Sequence, residues 1–70
     1  DKILNQIAIK YKNEKLDLID GVRIDFTESW VQLRKSNTES IIRIYSEAKS
    51  IDKAAGLVNE IEDLVKEIIH

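Results

Sequence analysis

The sequence predicts an α+β domain, a four-stranded antiparallel sheet with two helices packed on one face. Stretches with apolar residues three and four apart lie at both ends of the chain, and between them run short segments rich in β-branched and aromatic residues. The links between those segments are far shorter than the roughly dozen residues a parallel crossover needs, so the strands pair antiparallel. With 70 residues in all, the chain supports one small core and must use nearly every apolar residue structurally.

A first helix is expected over residues 2–12, where Ile3, Leu4, Ile7, Ala8 and Tyr11 share a face. Asn13 is a candidate to close it, because Asn tolerates the left-handed backbone found after helix C-termini. Residues 16–19 and 22–26 read as a hairpin around Asp20 and Gly21, a dipeptide favoured in two-residue turns. In the second of these strands Val22, Ile24 and Phe26 alternate with Arg23 and Asp25. A short polar link over residues 27–29 leads to a third strand, 30–34, in which Val31 and Leu33 oppose Trp30, Gln32 and Arg34. Residues 41–48, dense in Ile with Tyr45, make the fourth.

From Ile51 the period returns to that of a helix through Ala54, Leu57, Val58, Ile61, Leu64, Val65, Ile68 and Ile69. Ser50 is a suitable N-cap and Asp52 places negative charge in the first turn. Gly56 costs about 1 kcal/mol of helix propensity relative to Ala, and close packing on the sheet is the expected reason for it.

Composition narrows the function. A net charge of -2 argues against a chain whose main task is to coat nucleic acid or an anionic membrane. The absence of Cys removes disulfides and thiolate zinc sites and is compatible with the reducing cytosol. No stretch approaches the ~20 apolar residues of a membrane span. Glu60, Glu62 and Asp63 read as the wet face of the last helix, Trp30 and Tyr45 as packing residues, and His70 as a tail residue.

What remains is "RKSNTES", residues 34–40, a polar loop between two apolar runs. Arg34 offers a charged planar fork that can grip two oxygens of a phosphate, Ser36 and Thr38 add hydroxyls, and Asn37 an amide. Successive turn amides can add an anion-binding nest. Arg43 approaches the same anion if its strand neighbours that of Arg34. Three other readings compete: a helix-starting capping box over Ser36 and Glu39, a plain solvated hairpin connection, and nucleic-acid contact through Arg34 and Lys35 with stacking on Trp30 or Tyr45.

The stretch "DGVRIDFTESWVQLRKSNTESIIRIY", residues 20–45, resembles the C-terminal domain of the α-D-phosphohexomutases, the phosphomannomutases, phosphoglucomutases and phosphoglucosamine mutases. That family carries a D-G-x-x-x-x-F strand pair, a Trp-containing strand, a loop of the form R-x-S-[GN]-T-E-P and a strand of the form R-[VI]-Y. Arg34, Ser36, Asn37, Thr38, Glu39, Arg43, Ile44 and Tyr45 fall into this pattern. Ser40 stands where Pro is usual and Lys35 where Pro or Ala is common; losing Pro frees a backbone angle without removing an anion-binding group.

The resemblance implies a domain of a longer enzyme, an expectation that the start on Asp1 rather than Met also suggests. In such enzymes a phosphoserine on the first domain transfers its phosphoryl group to a sugar phosphate, Mg²⁺ on the second neutralises charge, and the third reads the sugar. By carry-over, Arg34, Ser36, Asn37, Thr38 and Arg43 bind the non-reacting phosphate of a hexose phosphate in the cytoplasm, and the domain closes over the active site together with the other domains. None of these residues is a catalytic residue or metal ligand, and no nucleic acid or membrane partner is implied. The alternative is a noncatalytic module of similar fold that binds a protein or nucleic acid.

Overall fold

Among the described residues, two helices and four strands form in the predicted order: α1 (Lys2–Lys10), β1 (Lys15–Asp17), β2 (Val22–Asp25), β3 (Trp30–Lys35), β4 (Ile42–Glu47) and α2 (Ile51–Ile69). The computed structural model describes residues 2–36 and 41–69. The strands lie side by side in the order β1-β2-β3-β4, each antiparallel to its neighbour.

Period-two alternation sorts the two faces of the sheet. Val22 and Ile24 of β2 and Val31 and Leu33 of β3 are at most 3% exposed, and Ile7 of α1 and Ile61 of α2 close over them. Leu16, Ile42 and Ile44 extend this layer toward the sheet margins, and Leu57, Leu64, Val65 and Ile68 complete the apolar stripe of α2. Both helices therefore cover one face, as the sequence predicts. The other face carries Arg23, Asp25, Trp30, Gln32, Arg34, Arg43, Tyr45 and Glu47.

α2 starts where the N-cap rule puts it. Ser50 Oγ accepts a hydrogen bond from the Lys53 amide at 3.2 Å, and its carbonyl accepts from the Ala54 amide at 3.1 Å. Ser46 Oγ donates to the Ala54 carbonyl at 2.8 Å and ties the first turn to β4. At the end of α1, Tyr11 stands edge-on to Phe26 with ring centroids 6.3 Å apart. Burial pushes the Tyr11 phenol above its ordinary pKa, and Glu60, which accepts its hydrogen bond, and the charge of Glu14 raise it further.

Three local expectations are corrected. Asp20 and Gly21 do not form a two-residue turn: Asp17 pairs with Arg23 and Leu16 with Ile24, leaving the five residues 18–22 between the last paired positions. A two-residue turn would move the register by one and set Asp17 opposite Ile24, on the core side, in place of Leu16. The observed register instead leaves Leu18 and Ile19 exposed, and Asp17 Oδ1 accepts the Ile19 amide at 3.0 Å to start the bend. The tight two-residue turn lies at Thr27 and Glu28, where the Phe26 amide donates to the Ser29 carbonyl at 2.8 Å.

Asn13 does not adopt the left-handed conformation, since among the described residues only Gly21 has positive φ. α1 ends two residues earlier than expected; the Ile7 and Ile9 carbonyls are met by the Tyr11 and Lys12 amides, and a further turn follows from the Glu14 amide to the Tyr11 carbonyl. Gly56 does not pack on the sheet; a Cβ built there meets nothing within 4 Å.

Candidate functional site

Arg34 occupies the last turn-ward stretch of β3, on the face without helices, directly opposite Arg43 of β4. The alternation that buries Leu33 makes this unavoidable, because Arg34 must point the other way. Two guanidinium groups thus stand at the end of the sheet from which the polar loop projects. Like charges placed directly across an antiparallel pair destabilise it, so this arrangement calls for a neighbouring anion.

One carboxylate is already there. Arg34 Nη2 lies 3.2 Å from Asp20 Oδ2, with both side chains about half exposed. The connection that carries Asp20 runs close to β3 and is anchored to it by a hydrogen bond. Gln32 Nε2 donates to the Asp20 carbonyl at 2.9 Å, and Gly21, at φ 79°, presses against the carbonyl of Leu33. Asp20 therefore flanks Arg34 on the β2 side while Arg43 flanks it on the β4 side.

The loop is closed by the Ser36 amide, which donates to the Ile41 carbonyl at 3.0 Å. That amide is thereby committed to the hairpin. Of the predicted phosphate ligands, the structure brings Arg34, Ser36 and Arg43 to one end of the sheet; Asn37 and Thr38 lie outside the described residues, as do Glu39 and Ser40. The competing capping-box reading also falls partly there, but Ile42 to Glu47 forms a strand rather than a helix.

Two contributors were not visible from residue types, Asp20 and Gln32. Asp20 reads in sequence as a turn former, and its pairing with Arg34 follows from the register of β2 on β3, which sets Val22 opposite Leu33. The parity of the apolar residues, Val22 with Leu33 and Ile24 with Val31, is the signal that gives that register.

The rest of this face is organised by side-chain contacts. Arg23 lies 4.5 Å from the centre of the Trp30 ring and 3.2 Å from Asp25. Trp30 Nε1 donates to Glu47 Oε2 at 2.9 Å across the β3–β4 pair. With its ring covered by Arg23 and its N–H engaged, Trp30 is a packing residue here, in keeping with the sequence reading. On the helix side, an apolar cavity of about 480 Å³ is lined by Ile3, Ile41, Ile44, Val65 and Ile69 among others; Arg34 and Arg43 are not part of it.

Among the described residues no group of three or more His, Cys, Asp or Glu could hold a metal ion. None of the described helices is long and apolar enough to cross a membrane.

Comparison with known proteins agrees with this architecture. Residues 1–64 match the family model described as phosphoglucomutase/phosphomannomutase, C-terminal domain. The chain is similar to a protein described as "Probable phosphoglucosamine mutase" from Thermococcus gammatolerans, 44% identical over 69 residues, covering 97% of this chain and 15% of that protein. A like-named protein from Methanopyrus kandleri is 39% identical over 66 residues, 94% of this chain and 15% of the relative. A phosphoglucosamine/phosphogalactosamine mutase from Sulfurisphaera tokodaii is 50% identical over 48 residues, 69% of this chain and 10% of the relative. The chain thus spans at most about a sixth of the length of these relatives. On the match over nearly its whole length, the chain belongs to the phosphoglucomutase/phosphomannomutase C-terminal domain family.

Proposed function

We propose that this chain is the domain of a phosphohexomutase that grips the non-reacting phosphate of a hexose phosphate, through Arg34, Arg43, Ser36 and the loop residues Asn37 and Thr38. One observation carries the reading: Arg34 and Arg43 face each other across the β3–β4 pair beside the loop. A dianion between them removes the like-charge penalty and takes up donors that a planar fork presents two at a time. None of these groups is a nucleophile or a general base.

Such a grip supplies binding energy remote from the bond that breaks, and that energy can orient the reacting end and exclude water. A site that recognises phosphate without reading the sugar also suits an intermediate that must present either end. Closing of this domain over a catalytic centre, a serine nucleophile and a Mg²⁺ held elsewhere in the enzyme, and a cytoplasmic setting complete the proposal.

The test is an NMR titration of the chain with inorganic phosphate at constant ionic strength. Shifts centred on amides 34–38 and on Arg43 are expected. Silence there, with shifts spread over the strands on adding an oligonucleotide, would favour a noncatalytic interaction module instead.

A further inference from the structure

We propose that Asp20 is a positioning residue for Arg34, fixing the guanidinium on the β2 side so that the space between it and Arg43 stays open to phosphate. This rests on the phosphate-binding reading above. The carboxylate of Asp20 meets Arg34 Nη2 at 3.2 Å from the β2 side, whereas Arg43 stands on the β4 side. Without an anion, an exposed arginine opposite another arginine swings away from it, because repulsion and side-chain entropy act together. Asp20 gives the displaced guanidinium one fixed position on the side away from Arg43 and occupies only one edge of it, so that its remaining donors stay usable.

Asp20 is well placed to act as a fixed post rather than a floating charge. Its carbonyl is held by Gln32 Nε2 at 2.9 Å, and the adjoining Gly21 backbone passes close to the Leu33 carbonyl. Neither contact uses the carboxylate. Replacing the carboxylate therefore leaves the connection in place and changes only what Arg34 feels.

A carboxylate near an anion site also repels the ligand, so the direction of the effect is a real test. We expect Asp20→Ala to raise the dissociation constant for inorganic phosphate about two- to five-fold, the range of an exposed ion pair. Asp20→Glu should recover part of the loss. In the ligand-free chain, the heteronuclear NOE of the Arg34 Nε–Hε group should fall in Asp20→Ala, with the melting temperature little changed.

Two controls separate this inference from the reading beneath it. In an Arg34→Ala background, Asp20→Ala should have no further effect on phosphate affinity; a persisting effect overturns positioning through Arg34. Unchanged Arg34 order in Asp20→Ala, or tighter phosphate binding, overturns it as well, and both leave the phosphate site standing. If Arg34→Ala alone leaves phosphate affinity intact, the site reading fails and the inference falls with it.

Discussion

Gly21 meets the carbonyl oxygen of Leu33 so closely that a Cβ at position 21 would collide with the β3 backbone. Its φ of 79° lies in the region L side chains avoid. Steric room and backbone conformation thus demand glycine at one place, and that place carries Asp20 to Arg34. Gly21→Ala is expected to destabilise the fold by about 2 kcal/mol or more, since the left-handed backbone alone costs about 1–2 kcal/mol and the collision adds to it. Urea unfolding would read the change as a lower midpoint.

Gly56 gives the opposite expectation. It sits in the first half of α2, exposed, with open space where a Cβ would go. Gly56→Ala should stabilise the chain by about 0.5–1 kcal/mol, the propensity difference between the two residues in a helix. A melting temperature unchanged or lowered in this variant would contradict the open surroundings.

Arg34→Ala should weaken phosphate binding by about 1–3 kcal/mol, as expected for hydrogen bonds to a charged group. Its fold should survive, because Arg34 is half exposed and its one described ion pair is at the surface. Arg43→Ala should act in the same direction. Calorimetric titration with inorganic phosphate, alongside circular dichroism of each variant, separates lost binding from lost structure.

Tyr11 gives a signature at alkaline pH. Its phenol titrates above the ordinary value of 10.0 in the folded chain, chiefly through burial and then through Glu60. The folded state therefore holds this proton more tightly than the unfolded state does. The associated stability is complete below about pH 10 and is lost as pH rises through the folded pKa. Unfolding followed by denaturant between about pH 9 and 11 should show that decline, and Tyr11→Phe should flatten it.

Much of this architecture is legible in the sequence because burial is written in period two or period 3.6. Val22, Ile24, Val31 and Leu33 announce one buried sheet face, and Ile61 with Leu57, Leu64 and Val65 announces the helix that covers it. The turns are less legible, since local preference competes there with register. Asp20 and Gly21 favour a tight turn, yet burying Leu16 opposite Ile24 outweighs that preference and leaves Ile19 94% exposed. Gly56 shows a similar limit, because a glycine in a helix records a missing side chain but not what, if anything, fills the space.

For the site, the residue types Arg34, Ser36 and Arg43 were readable, and strand pairing supplies their adjacency. The link from Asp20 to Arg34 was not readable. It depends on the register of β2 on β3, which sets Val22 opposite Leu33, and an error of one residue there removes it.

The two margins of the sheet are unequal. β1 is three residues long with Lys15 and Asp17 exposed on it, a poor template for recruiting another chain, whereas β4 offers six residues. Fibril growth by edge addition requires competent margins on both sides of every unit. A sheet blunted on one side can pair through its long edge, while its shortest strand offers little template for adding further units.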